Sequence, residues 1–250
     1  MEKEQDRVAL VTGASKGLGK SLSEELIKSG WTVVGIARSI EQLNTLKKSL
    51  GPDNFIPYIC DVSVAEQVKR VSESLREKKI IPALFFLNAG IAGEAACESS
   101  SNFLVAKHRE IFATNYFGVL NWIEEWLPTS LNSTGTNFIA TSSINAIFAP
   151  PTGSAYAASK AAIAKAFEGL SLTYHQKNIT FSVVYAGPIA TDGLKGNVPF
   201  AWGPKKMAKY MIKAALKGKT HIENSVFYSI LARVLHLLPN CVVMKILKSF

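Results

Sequence analysis

Cysteine is scarce: Cys60, Cys97 and Cys241 are the three in 250 residues. They are too scattered for a disulfide framework, and no CxxC pair is present. The four histidines, His108, His175, His221 and His236, show no metal-ligand spacing, so no metal is expected. A reducing, cytoplasmic setting is expected, at most beside an inner or organelle membrane surface. Long apolar runs are also missing, and none reaches the roughly 18 uninterrupted residues of a spanning helix. Met1 to Arg7 are charged and precede only a strand-length apolar run, so no signal peptide is expected. Acidic residues are nearly absent from one end. Residues 201–250 carry nine Lys and Arg against Glu223 alone, 9 − 1 = +8, which leaves 19 basic and 18 acidic groups before them. A near-neutral body does not read as a nucleic-acid binder, whereas the basic end suits an anionic partner. Apolar content of 48% against 19% charged excludes a disordered chain.

What is present alternates. Arg7–Thr12, Thr32–Ala37, Phe55–Cys60, Ala83–Asn88, Asn137–Thr141 and Thr180–Tyr185 read as short, largely apolar strands, as expected of strands buried on both faces. Helix-period segments lie between them: Gly17–Ser29, Glu41–Leu50, Val64–Lys78, a long one from about Phe103 to Trp126 stopped by Pro128, and Tyr156–Gln176. This βαβα order predicts a single doubly wound α/β domain, a Rossmann fold with a parallel sheet, over residues 1–224. Residues 225–250 read as a basic amphipathic helical tail, packed on the domain, on a sister subunit or on a membrane surface.

The first strand runs into Thr12-Gly13-Ala14-Ser15-Lys16-Gly17-Leu18-Gly19, and a helix follows. Glycines there permit a tight turn and close approach to a pyrophosphate, which the free amides and positive end of the helix then hold. The TGxxxGxG spacing is followed in order by Asp61-Val62, Asn88-Ala89-Gly90, Asn115, Ser143, Tyr156-Ala157-Ala158-Ser159-Lys160 and Gly187-Pro188. Over roughly residues 7–192 this resembles the short-chain dehydrogenase/reductase family. Two features depart from its pattern: Ala186 replaces the usual proline before Gly187, and the usual Val-Asp-Gly-Gly-like ending is absent.

Tyr156 and Lys160 are four apart on an alanine-rich segment, so both project from one helical face. A fixed ammonium one turn away stabilises a phenolate, and such a tyrosine gives a proton to a carbonyl oxygen or takes one from an alcohol. Ser143, past the strand Asn137–Thr141, is placed to hold the substrate oxygen, with Ser142 as a neighbour the family spacing disfavours. The resemblance implies further roles. Lys160 bonds the nicotinamide ribose, and Asn115 holds a water that links Lys160 to solvent. Asp61 and Val62 contact the adenine, Asn88, Ala89 and Gly90 line the cofactor, and Pro188, Ile189 and Thr191 meet the carboxamide.

The second strand ends Ala37-Arg38-Ser39, without the carboxylate that marks NAD. Arg38, with Lys16 in the glycine loop, suits a 2′-phosphate instead, so NADP(H) is the expected cofactor. The loops Gly93–Ser101 and Thr191–Pro204 are expected to line the substrate pocket. Leu194, Val198, Phe200 and Trp202 fit an apolar substrate or a packed lid equally well. The expected activity is hydride transfer between nicotinamide and a carbonyl or secondary alcohol, apolar or lipid-like, in a homo-oligomer, dimer or tetramer. A non-catalytic cofactor sensor and a lipid-surface binding protein remain as alternatives. On a helical wheel Ser225–Leu238 places Val226, Phe227, Ile230, Leu231, Val234, Leu235, Leu237 and Leu238 on one half. Ser225, Tyr228, Ser229, Ala232, Arg233 and His236 fall on the other. Pro239 stops that helix, and Asn240 is expected to cap a second apolar piece, Cys241–Phe250, which carries Lys245 and Lys248.

Overall fold

A computed structural model describes residues 7–51, 53–92, 98–99, 102–133, 135–151, 153–191 and 198–248. Cys97, Leu194 and most of the two expected pocket loops lie outside these residues. The first strand, β1 (Val8–Thr12), is buried throughout, and successive side chains leave it in opposite directions. Ala9 and Val11 enter one core, and Val8 and Leu10 the other. The pattern repeats in β2 (Thr32–Ala37) and β4 (Leu84–Leu87), as in Val33 against Val34 and Phe86 against Phe85, while in the edge strand β3 (Phe55–Ile59) only Phe55 is buried. Two-sided burial is why these runs show no polar alternation in the sequence.

A hairpin, β5 (Glu98–Ser99) with β6 (Asn102–Phe103), precedes β7 (Thr136–Ser143), β8 (Ile179–Ala186) and a short β9 (His221–Glu223). The main sheet has seven parallel strands in the order β3-β2-β1-β4-β7-β8-β9. From β3 the chain crosses back to pair β4 with β1, so the order reverses there. In open α/β sheets, ligands bind beyond the carboxyl ends of the strands at such a reversal.

One face of the sheet is covered by α1 (Gly17–Lys28), α2 (Ile40–Leu50) and α7 (Pro204–Leu216), through residues such as Leu22, Leu46 and Met211. The other is covered by α3 (Ala65–Glu77), α5 (Gly118–Leu131) and α6 (Ser154–Thr173), with Trp122, Trp126 and Phe167 buried there. Phe85, Phe138 and Phe181 stack across three neighbouring strands at 4.8 and 5.3 Å between ring centroids. Such offset pairs add to what burial alone contributes.

Four expectations need correction. The helix expected from Phe103 begins instead as α4 (Val105–Phe112), because Phe103 pairs in the hairpin. It passes through a single π turn at residues 113–117 before continuing as α5. Pro128 does not stop it. The proline stands one turn from the end, where it forfeits one helical bond while Trp126 and Ser130 on either side stay buried. Strand β9 and helix α7 are additional to the elements expected from the sequence. The strand is three residues long with only Ile222 fully buried, too little for a periodic signal.

The tail forms α8 (Val226–Leu237) and α9 (Asn240–Lys248). Ser225 caps α8 by accepting from the Tyr228 amide at 3.4 Å. In the fourth correction, Asn240 is the first helical residue of α9 rather than its cap, and the amides of Val242 and Val243 donate to the Pro239 carbonyl.

Candidate active site

The glycine loop is built by steric necessity. Gly13 and Gly17 have φ of 67° and 55°, the left-handed region open to glycine without strain. Gly19 is closer still: a Cβ there would lie 2.1 Å from the Gly13 carbonyl oxygen, a backbone atom that cannot step aside. Thr12 ties this loop to the end of β4. Its hydroxyl oxygen accepts from the amides of Asn88 and Ala89 at 2.9 Å each, while Asn88 Nδ2 donates to the Thr12 carbonyl at 3.2 Å.

Beyond these strand ends lies a cleft of about 670 Å³, within the usual size of a cofactor site. Gly13, Ser15, Lys16, Gly17, Leu18, Arg38, Asp61, Val62, Asn88, Ala89 and Gly90 line it on one side, and Tyr156, Lys160, Ile189 and Thr191 on the other. Gly19, Asn115, Ser143 and Pro188 are not on its wall; the first three stand directly behind or beside it. Ile36, Ala37, Cys60, Ile91, Ala92, Thr114 and Thr141 also line the cleft and were not singled out from the sequence. Most present apolar surface or backbone, and their residue types carry no chemical signal. Burial pushes the Cys60 thiol up to about 12, so it offers no thiolate.

At the cleft's far end three side chains meet. Ser143 closes β7; its hydroxyl oxygen accepts from the Asn145 amide at 3.1 Å, and against burial the hydroxyl pulls the Tyr156 phenol's pKa downward. Lys160 Nζ lies 5.6 Å from the Tyr156 ring centroid and donates to the Thr141 carbonyl at 2.7 Å. Ser142 faces the other way: its hydroxyl donates to the Lys160 carbonyl at 2.8 Å and is fully engaged in packing α6 on β7. Burial lowers the Lys160 ammonium to about 8. Burial also raises the Tyr156 phenol above its ordinary value, and the Ser143 hydrogen bond opposes that rise. Near neutrality, therefore, a protonated phenol faces a cation that is easily lost.

Asn115 explains the π turn. Its side chain accepts from the Ile91 amide at 2.8 Å and donates to the Ile91 carbonyl at 2.9 Å and to Ser159 Oγ at 3.0 Å. Ser159 in turn donates to the Tyr156 carbonyl at 2.7 Å. The bulge thus locks the segment after β4 to the helix that carries Tyr156 and Lys160, as π bulges at functional sites often do. A Cβ on Gly90 would stand 3.1 Å from Asn115 Oδ1 and 3.3 Å from Lys160 Nζ, so both atoms face the space that glycine leaves open.

At the other end, Arg38 Nη1 stands 3.9 Å from Asp61 Oδ2, with the arginine side chain 72% exposed. Burial pushes the Asp61 carboxyl up, but hydrogen bonds from the Ser63 hydroxyl and amide and the Arg38 charge hold it below the usual value. Its second oxygen is thus committed to Ser63, and Arg38 keeps most of its fork free.

The fold is a Rossmann-like one, and Ser143, Tyr156 and Lys160 gather at one end of its cleft. The family described as short chain dehydrogenase matches residues 7–200. The chain is 31% identical over 192 residues to the NADPH-dependent 1-acyldihydroxyacetone phosphate reductase of Saccharomyces cerevisiae, covering 77% of this chain and 64% of that one. It is 34% identical over 132 residues to the NADPH-dependent pterin aldehyde reductase of Arabidopsis thaliana, covering 50% and 51%. These matches thus span less than two thirds of either relative. A Burkholderia phymatum short chain dehydrogenase/reductase in complex with NAD superposes with a TM-score of 0.81 at 19% identity, covering 94% and 95%, which shows the shared fold. The chain belongs to the short-chain dehydrogenase/reductase family.

Proposed function

We propose that the protein is an NADP(H)-dependent reductase of an apolar carbonyl, or in reverse a dehydrogenase of the secondary alcohol, with Tyr156 as the acid and base. The observation that carries this is the meeting of Ser143, Tyr156 and Lys160 at one end of the cleft. A cofactor sensor would have no use for a phenol, a hydroxyl and a buried cation in one place. The cleft fits a dinucleotide: three glycines open one end, and Gly90 leaves room beside Lys160 at the other. When bound there, NADP(H) supplies or accepts the hydride.

The protein's own residues handle the oxygen. The Ser143 hydroxyl donates to the carbonyl oxygen and orients it beside the Tyr156 phenol. Tyr156 delivers its proton to that oxygen as negative charge develops, and the Lys160 ammonium stabilises the phenolate left behind. Asn115 holds the backbone at Ile91, which fixes the wall next to Lys160. In the oxidative direction the same groups run in reverse, with the phenolate taking the alcohol proton.

Arg38 and Lys16 at the opposite end, with no carboxylate ending β2, favour a 2′-phosphate. The two relatives described as NADPH-dependent agree with that preference. The apolar substrate rests on the acyl substrate that the yeast relative's name carries; Val198, Phe200 and Trp202, expected in the pocket, do not line the cleft, and Phe200 is exposed. The test is NADPH oxidation over aliphatic ketones and aldehydes of increasing chain length. The expected result is turnover with kcat/KM rising with chain length. Tight NADPH binding without turnover on any carbonyl would favour a sensor and overturn the proposal.

A further inference from the structure

Helix α8 packs with the wrong face inward. The residues it buries are Ser229, Ala232 and Leu235, small or polar but for one. Val226, Phe227, Ile230, Leu231, Val234 and Leu237 face outward, with Val226 73% and Leu237 82% exposed. Of the seats expected for this stripe, its own domain is not the one it takes, which leaves a sister subunit or a membrane surface. The inversion is held in place by polar contacts. Arg233 pairs with Glu223 on β9, Tyr228 donates to the Pro199 carbonyl at 2.7 Å, and Ser225 caps the first turn. The helix is fixed to the sheet edge by its polar side and presents its apolar side as a rigid surface.

That surface continues beyond α8. Phe200, 72% exposed and held at a φ of 58° where a bulky side chain is a genuine outlier, tilts its ring against Phe227 at 5.7 Å between centroids. Val242 and Met244 on α9 are exposed as well. Cations flank the patch. The Lys206 ammonium sits 4.0 Å from the centroid of Trp202, two residues from Phe200, and Lys245 is exposed on α9. From Asn224 to Phe250 the sequence has no Asp or Glu, and the one carboxylate just before it, Glu223, is neutralised by Arg233.

We infer that α8, α9 and the Phe200 turn form a docking surface for an anionic lipid bilayer, the apolar side chains entering the interface and Lys206 and Lys245 meeting the headgroups. Such a helix lies in the interface rather than crossing it. Among the described residues no helix is long and apolar enough to cross. Charge decides between a lipid surface and a second copy. An isologous contact sets each patch against itself, so it would bring like charges together, whereas anionic headgroups neutralise them. The surface also adjoins the site, because α8 packs against the turn at residues 144–146 that follows Ser143.

Flotation of the full chain with phosphatidylcholine vesicles, with and without phosphatidylglycerol, tests this at low salt. Wild type is expected to float with the anionic vesicles and to bind the neutral ones roughly tenfold or more weakly. Ile230→Asp with Leu237→Asp should remain in the soluble fraction. Lys206→Glu with Lys245→Glu should lose the preference for anionic vesicles. Both variants should keep wild-type NADPH affinity, since neither pair lines the cleft, and this readout separates failure of the surface from failure of the fold. Wild type that stays soluble with anionic vesicles would overturn the inference. So would a wild-type dimer, measured without lipid, that the Asp pair converts to monomer, because a second copy would then cover the face.

Discussion

Lys160 shows the conflict between stability and chemistry at a single residue. Burying its ammonium lowers the folded value to about 8 from 10.5, which costs the fold about 3 kcal/mol at neutral pH. The unfolded chain binds the extra proton between those two values, so the penalty is full below about 8 and is relieved as pH rises toward 10.5. Lys160→Met should therefore gain its largest stability advantage over wild type at neutral pH, and that advantage should shrink as pH is raised. Thermal unfolding of both proteins at pH 7 and pH 10 measures it. A difference that does not change with pH would mean that the lysine is not buried as a cation. Arg38 is the opposite kind of residue, exposed and inexpensive to change. Arg38→Ala should weaken NADPH binding by about tenfold or more while leaving NADH nearly unaffected, since a charge-assisted phosphate contact contributes about 1.5–3 kcal/mol. Calorimetry with each cofactor at matched ionic strength checks this.

Among the elements, the interrupted helix α4–α5 carries the most information. Its sequence between Phe103 and Trp126 has ordinary helical periodicity, and Asn115 stands out there only as a poor helix former. The reason lies 24 residues back, at Ile91, and 44 residues on, at Ser159. Long-range polar contacts of this kind leave no local pattern, so the π turn was not legible while the residue at its centre was. Asn115→Ala leaves the Ile91 amide and carbonyl without their partner. It is expected to destabilise the fold by about 1–3 kcal/mol and to lower kcat more than it raises KM, as a residue that positions the catalytic helix should. Urea unfolding and steady-state kinetics on one protein preparation read both effects. The tail teaches the reverse lesson. The wheel divided its residues into halves, but the buried stripe follows neither: Leu235 of the apolar half is buried, and Arg233 and His236 of the other half are exposed. The inward face was decided by Arg233, Tyr228 and Ser225 reaching partners outside the helix.

Across the whole molecule, six of the seven strands of the main sheet and the glycine loop were readable because two-sided burial and steric exclusion restrict residue type at each position. The cleft follows from topology: the order reversal between β3 and β4 opens it, and the ends of β1, β4 and β7 bring Gly13, Asn88 and Ser143 to one rim. Its two ends are chemically distinct, with cations at Lys16 and Arg38 and the Ser–Tyr–Lys group at the other, so a bound dinucleotide has one productive direction. The proposed mechanism puts the transferred proton on one oxygen atom, that of Tyr156. The decisive measurement is turnover of Tyr156→Phe on a carbonyl that wild type reduces with NADPH, alongside its NADPH affinity and melting temperature. The ring that packs is retained and only the hydroxyl is lost, so affinity and melting should stay near wild type while kcat falls by about 10²–10⁴. A folded, NADPH-binding Tyr156→Phe protein with wild-type kcat would contradict the assignment of Tyr156 as the acid.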